Sequence, residues 1–181
     1  MTDVYTEYLN FLIANKISDS VLKKALHKDV CNQIIPILKD QSPKNILEIG
    51  TFKGFSMGLF RYFMPNCNVL SIDIVRHKEA EQISLLFGNC KLIKGDSSHI
   101  YKQNIQTKFD FILIDGDHSY NSCKKDWNNV QPNISNSCTI LFDDLGHLRG
   151  CGKVFYEIKD DRYSKQTISH DGIECTGILK K

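Results

Sequence analysis

Three acids in this chain follow short apolar runs: Asp115 after FILI in FILIDGDHSY, and the adjacent pair Asp143-Asp144 after TILF in TILFDDLGH. An apolar run that stops at a carboxylate reads as a buried strand meeting solvent. Two such strand ends lying side by side would aim three carboxylates at one point. That is a seat for a hard divalent cation, and oxygen ligands without a nearby thiolate favour Mg²⁺, with Mn²⁺ or Ca²⁺ as alternatives. The plainer reading is that Asp143-Asp144 only caps a loop. Against it, converging acids with no cation among them repel one another and raise one another's pKa.

A second set of residues lies upstream in ILEIGTFKGFS, which reads as a strand, a turn and a helix. The turn Gly50-Thr51-Phe52-Lys53-Gly54 carries two glycines that let the backbone approach a ligand closely. Ser56 falls in the first turn of the following helix, where free N–H groups favour an anion such as a carboxylate. The spacing is G-x-x-x-G and not G-x-G-x-x-G, so a pyrophosphate-cradling loop is not indicated. Asp73 ends the next strand, where an acid can accept hydrogen bonds from both ribose hydroxyls, a feature that nicotinamide and adenosyl cofactors share. Glu48, Asp73, Asp96 and Asp115 all stand at strand ends, the edge of an open parallel sheet where ligands bind. A cofactor pocket beside a cation pocket points to an enzyme.

The elements that must position these residues follow from periodicity. Strands are expected at 45–49, 68–73, 91–94, 109–114 and 138–142, with helices near 54–63, 77–87, 98–104 and 119–130. Short connections between alternating strands and helices imply a parallel sheet with helices on both faces. A helix from Gly150 to about Asp160 precedes strands at 162–169 and 173–179, joined at Asp171-Gly172, a hairpin signal that ends the sheet antiparallel. The first forty residues read as helix. Val4, Tyr8, Phe11 and Leu12 form one stripe, and Ser20 caps a second helix carrying Leu22, Ala25, Leu26 and Cys31 toward Leu38, with Pro36 in its last turn. With no repeat or low-complexity linker, residues 1–181 form one domain: a helical extension over 1–40 and a cofactor-binding core over 44–181.

Bulk properties exclude several partners. A formal charge of +2, with basic doublets only at Lys23-Lys24, Lys124-Lys125 and Lys180-Lys181, leaves no footprint for nucleic acid. The seven cysteines show no C-x-x-C spacing, which disfavours a zinc ribbon or redox motif and suits a reducing compartment. No apolar stretch approaches the roughly 20 residues that span a membrane. MTDVYTEYLN lacks the basic and apolar regions of a secretory leader, so a cytoplasmic location is expected. His27, His77, His99 and His170 show no spacing that suggests ligation.

Taken together, LEIGTFKGFS, IDIV, KGDSS, FILIDGDHSY and ILFDD resemble the class I S-adenosylmethionine-dependent methyltransferases, and among them the small metal-dependent O-methyltransferases: the catechol and caffeoyl-CoA enzymes and the sugar O-methyltransferases of antibiotic pathways. The resemblance covers roughly residues 44–160. It implies a Rossmann-like α/β fold with a seven-stranded sheet in the order 3-2-1-4-5-7-6, the last strand antiparallel. Glu48, Gly50, Phe52, Gly54 and Ser56 would then border the methionine part of S-adenosylmethionine. Asp73 would hold the ribose, Asp96 and Ser97 would lie against the adenine, and Asp115 would approach the sulfonium. Asp115, Asp143 and Asp144 match the family's metal ligands, and the Asp-Asp pair is like that of the sugar-modifying branch.

His118 stands where the catechol and caffeoyl-CoA enzymes carry a catalytic lysine, and this departure leaves the base open among His118, Asp115 and Asp117. With an ordinary pKa near 6.5, a histidine lies about 9 units below an alcohol, a gap of about 12 kcal/mol for full deprotonation, so it would need the metal's help. In the loop after the acid pair, His147 and Arg149 could meet the acceptor, as could Tyr120, whereas Trp127 reads as core. The N-terminal helices could cover the cofactor, shape the acceptor pocket or form a homodimer interface. The expected activity is Mg²⁺-dependent methylation of a hydroxyl on a small molecule: a sugar or glycan first, with nucleotide-sugars and catechols as further acceptors. An NAD(P)-dependent oxidoreductase and a catalytically silent adenosyl-binding module are the competing readings.

Overall fold

The computed structural model describes residues 3–22, 26–103, 105–146 and 150–181. Seven strands form one sheet: β1 (Asn45–Ile49), β2 (Asn68–Asp73), β3 (Cys90–Lys94), β4 (Phe109–Ile114), β5 (Ile134–Asp143), β6 (Ser164–His170) and β7 (Ile173–Lys180). Their order is β3-β2-β1-β4-β5-β7-β6. The first five pair in parallel, while β7 is antiparallel to β5 and to β6, as the resemblance implies. The five strand bounds read from sequence match to within one residue except at β5, which starts four residues earlier. Phe109 pairs with Ile134, and the ladder then shifts register before Phe111 meets Thr139, so the polar residues Ser135–Ser137 ride on an irregular stretch that apolar patterning does not reveal.

The strands between β1 and β5 are buried on both faces because helices cover both. Alternation sorts their residues into two cores. Ile46, Phe111, Leu113 and Leu141 face the side covered by α1 (Val4–Ala14), α3 (Lys28–Gln41) and α4 (Phe55–Phe63). Leu47, Ile112, Ile114, Ile140 and Phe142 face the side covered by α7 (Tyr120–Val130) and α8 (Cys151–Glu157). The helix α5 (Lys78–Phe87) adds Ile83 to the first core, and the short α6 (His99–Lys102) leads toward β4.

The N-terminal region differs in one respect from the expectation. In place of one helix from Ser20 to Leu38 there are two, α2 (Asp19–Leu22) and α3. The expected cap Ser20 lies inside α2, and His27 caps α3 by accepting the Asp29 N–H at 3.3 Å. Ala25, expected in that helix, and the doublet Lys23-Lys24 lie outside the described residues. Pro36 sits inside α3 without ending it. A proline removes one backbone donor, and the buried Ile34, Ile35 and Leu38 hold the helix against the sheet across that gap. Helix α1 begins at Asp3, whose carboxylate accepts the Thr6 N–H at 2.9 Å. It buries Tyr8 against Phe55 of α4 (ring centroids 5.2 Å), so the extension packs on the helix that follows the glycine turn. No helix among the described residues is long and apolar enough to cross a membrane.

Candidate active site

The sheet order places β1 and β4 side by side at its centre, and the loops after them meet. Gly50 (φ +94°) and Gly54 (φ +85°) bracket the turn after β1. A Cβ on Gly50 would stand 1.9 Å from the carbonyl oxygen of Asp115, so only glycine fits there. At Gly54, a Cβ would press on the Ala80 backbone of α5 at 2.9 Å. Between them Phe52 also has positive φ (+44°). Its N–H donates to Asp73 at 2.6 Å, and the second oxygen of Asp73 accepts the Val75 N–H at 2.8 Å. Asp73 therefore braces the turn while its carboxylate lines the cavity.

Glu48 is fully buried on β1, opposite Ser71 of β2 in the ladder. Both Ser71 and Ser56 donate their hydroxyls to its carboxyl group. Thr51 and Ser71 share a further hydroxyl contact at 2.5 Å. Burial pushes the Glu48 carboxyl up to about 7, against the pull of the two serines. The residue ties β1, β2 and α4 together directly beneath the turn.

A cavity of about 860 Å³ opens at the carboxyl ends of β1 to β5, a volume suited to a small-molecule ligand. It is lined by Gly50, Phe52, Ser56, Asp73, Asp96, Ser97, Asp115, His118 and Asp143 among others. Of the residues singled out from sequence, Glu48 and Gly54 stand behind this wall and Asp144 beside it. Asp96 accepts from Lys125 at 2.8 Å, and the Lys125 ammonium holds its carboxyl well below the usual range. Ser97 is buried and accepts from Asn129 at 2.6 Å.

One wall escaped the sequence reading: α7 contributes Ser122, Lys125 and Asp126 to the cavity. Asp126 is 8% exposed, and burial raises its pKa. The signal was available. Ser122, Lys125, Asp126 and Asn129 recur at helical spacing on one stripe beside the apolar stripe of Cys123, Trp127 and Val130. Leu26, Phe55 and His77 also line the cavity.

The acids meet on the other side of Gly50. In the β4–β5 ladder Ile114 pairs with Phe142, so Asp115 and Asp143 leave adjacent strands at the same level. Burial raises both carboxyls: Asp143 reaches about 7, with Asp115 adding repulsion. Thr176 of β7 donates to Asp143 at 2.7 Å. Asp144 turns away from the strand with φ +61°. The His118 imidazole stands between the others, with Nε2 3.2 Å from Asp115 and Nδ1 bonded to Asp144. These two carboxylates hold the ring up at about 9, Asp115 contributing most. A general base needs a neutral ring. In this arrangement the ring carries its second proton instead.

The donor set fits a hard cation in its chemistry, since it consists of oxygens whose burial and mutual repulsion call for positive charge. Its geometry is less closed. Among the described residues, the trio of ligating atoms lying within 4.8 Å of one another is His27, Asp29 and His170, not the three aspartates. Asp115 and Asp144 are linked through His118 instead. The pairing of His27 with His170 corrects the reading that these histidines stand apart. His77 packs on Phe52 (4.9 Å) and His99 lies 3.2 Å from the Asp96 carbonyl, neither in a ligand group. Tyr120 does not line the cavity and donates to Glu157 at 2.7 Å, whereas Trp127 is core against Phe142 and Tyr163. His147 and Arg149 lie outside the described residues.

A sheet of this order, with a glycine turn after β1, an acid after β2 and a cavity across the carboxyl ends, defines the class I S-adenosylmethionine-dependent methyltransferases. The chain belongs to the family described as "Methyltransferase domain", whose model matches residues 47–145, more than half of it. Solved structures share the fold. The O-methyltransferase from Bacillus cereus in complex with SAH is 16% identical, with a TM-score of 0.75 over 99% of this chain and 91% of that one. CalS11, a TDP-rhamnose 3'-O-methyltransferase of calicheamicin biosynthesis, is 16% identical, with a TM-score of 0.63 over 81% and 76%. MycE, a methyltransferase of the mycinamycin pathway in complex with Mg and SAH, is 13% identical, with a TM-score of 0.61 over 82% and 47%. No curated protein sequence matches the chain.

Proposed function

We propose that this methyltransferase moves a methyl group from S-adenosylmethionine to a hydroxyl of a small molecule, and that a divalent cation, Mg²⁺ first, is required. The observation that carries the reading is one cavity whose wall runs from the glycine turn through Asp115 to His118 and Asp143. Cofactor wall and acid wall touch at the contact of Gly50 with Asp115. Glu48, Gly50, Phe52, Gly54 and Ser56 are assigned to the methionine end, Asp73 to the ribose, and Asp96 and Ser97 to the adenine. Asp115 belongs to both walls, and with Asp143 and Asp144 it would hold the cation.

Bound S-adenosylmethionine supplies the electrophile, a methyl group on a sulfonium. Bound Mg²⁺ supplies positive charge that makes a neighbouring hydroxyl more acidic. The chain's own residues do the remaining work. The turn between Gly50 and Gly54 orients one ligand, and Asp73 keeps that turn rigid through the Phe52 N–H. His118 manages a proton at Nε2. With the acids otherwise unpaired, the ring holds that proton. With Asp115 and Asp144 holding a cation, the ring would release that proton to solvent, and Nε2 would then accept from the acceptor hydroxyl. Asp115 and Asp117 are the alternative acceptors of that proton.

A sugar or glycan end is the favoured acceptor, with nucleotide-sugars and catechol-like diols next. The Asp143-Asp144 pair supports this, as does the fold shared with a TDP-rhamnose methyltransferase. A cytoplasmic setting and a homodimer through the N-terminal helices belong to the same proposal. The outer side of α1, where Ile13 is 58% exposed, is available for such a contact.

One observation favours a second reading, a cation-independent site: the imidazole already bridges Asp115 and Asp144. A labelled-methyl transfer screen over sugars, nucleotide-sugars and catechols, run with Mg²⁺ and with excess EDTA, separates the two. Transfer that stops in EDTA and returns with Mg²⁺ is expected. Undiminished transfer in EDTA would move the assignment to the second reading, and binding of NADH in place of S-adenosylmethionine would defeat both.

A further inference from the structure

Away from the cavity, three residues distant in sequence meet between the start of α3 and the β6–β7 hairpin. His27 is the N-cap of α3, Asp29 is in its first turn, and His170 ends β6. His170 Nδ1 lies 2.7 Å from Asp29 Oδ2, across 141 residues of chain. The imidazoles of His27 and His170 pack at a tilt, with centroids 3.8 Å apart and ring planes at 43°. One ligating atom from each of the three residues falls within a 4.8 Å group. None of them lines the cavity.

The fourth side of the cluster shows how His170 is held. Its Nε2 lies 3.2 Å from Asp171 Oδ2 in the hairpin turn. Both ring nitrogens of His170 thus face carboxylate oxygens. A neutral imidazole has one N–H and can satisfy only one of them. With the N–H on Nε2 given to Asp171, a cation at Nδ1 satisfies the other side, because the ring lone pair and the Asp29 oxygen then both point at positive charge. A histidine that offers one nitrogen to a metal and donates the other N–H to a carboxylate is the usual outer-shell arrangement of metal-ligating histidines.

We propose that His27, Asp29 and His170 form a Zn²⁺ site, distinct from the active site, that fastens the start of α3 to the β6–β7 hairpin. Two imidazoles and one carboxylate suit zinc and its borderline neighbours, whereas Mg²⁺ prefers oxygen ligands alone. Zinc binds nitrogen and oxygen at about 2.0–2.1 Å, so tetrahedral neighbours stand ~3.3 Å apart. Half-exposed side chains that already lie within 4.8 Å reach this spacing with small rotations. The exposed side leaves the fourth position to water.

The test titrates the full chain with Zn²⁺ in excess Mg²⁺ against a competing chelator, and follows the thermal midpoint with and without Zn²⁺. The wild type should bind Zn²⁺ and gain thermal stability. His170→Ala and Asp29→Ala should each weaken that binding at least about tenfold, since even outer-shell partners are worth 10- to 100-fold. His27→Asn keeps a capping side chain, so it should lose zinc affinity while its metal-free midpoint stays that of the wild type. His118→Ala should retain the site. Wild-type zinc affinity in His170→Ala, loss of the binding in His118→Ala, or no binding by the wild type at millimolar Zn²⁺ would each overturn the proposal.

Discussion

The two walls of the cavity treat their carboxylates in opposite ways. On the β1–β2–β3 side each acid is satisfied by the chain's own donors: Glu48 by Ser56 and Ser71, Asp73 by the Phe52 and Val75 N–H groups, Asp96 by Ser98 and Lys125. On the β4–β5 side, Asp115 and Asp143 crowd one another, and among the described residues the His118 ring bridges Asp115 and Asp144. The first wall is a finished hydrogen-bonded frame. The second stores negative charge and gains from any cation delivered to it. On the proposed assignment, cofactor recognition and charge handling would therefore fall to different strands of one sheet, joined at a single steric seam.

Breaking that seam should have the largest effect. Gly50→Ala puts a Cβ against the Asp115 carbonyl at a φ that L-residues rarely adopt, so both walls should fail together. Unfolding stability should drop by about 3 kcal/mol or more in a denaturant titration. Asp143→Asn should touch the charged wall alone. Mg²⁺-supported turnover should fall by about two orders of magnitude, while the metal-free protein gains ~1 kcal/mol, a rise of about 2–4 °C in the thermal midpoint. If both walls respond to Asp143→Asn, measured as a change in affinity for S-adenosylmethionine, the division between them is wrong.

Glu48→Gln is the converse probe. It should weaken S-adenosylmethionine by roughly tenfold, ~1.4 kcal/mol by calorimetry, and leave the concentration dependence on Mg²⁺ unchanged. The smallest effect is in pH. The Asp143 carboxyl sits at about 7 in the folded chain against an ordinary 3.8, so the folded state binds its proton more tightly. That contribution to metal-free stability is complete below about 4 and is lost as pH rises through about 7. The advantage of Asp143→Asn over the wild type should therefore grow across this window in paired thermal melts. His118, raised to about 9 from 6.5, works in the same direction at higher pH: its contribution is complete below about 6.5 and lost through about 9.

The frame was more legible in the sequence than the charged wall. Strands such as NILEI and FDFILI are buried on both faces, and turn residues bound them, so their limits show in the letters alone. The same logic located Asp115, Asp143 and Asp144 on neighbouring strand ends. It could not show that His118 would reach between Asp115 and Asp144, because that depends on where the loop after β4 folds. The N-terminal helix split at His27 for a similar reason: its ring caps α3 and meets His170 from the far end of the chain, a partner no local window contains. The α7 wall was different. Its polar stripe is present in the sequence, but its residue types are those of an ordinary solvated face.

The Gly50 contact has a consequence for motion. The Asp115 N–H donates to Ile49 at 2.9 Å and the Gly50 N–H to Ile72 at 2.9 Å, while the Gly50 Cα rests on the Asp115 carbonyl. Stitched in this way to both neighbouring strands, the floor of the cavity moves as one rigid plate, and it cannot part to admit a ligand without breaking the sheet. Traffic in and out has to pass over the rim, where Phe52 and His77 are side chains on loops. Substrate exchange and rim mobility should then share a timescale, and a hydrogen-exchange experiment should find the slowest amides directly under the fastest-moving groups.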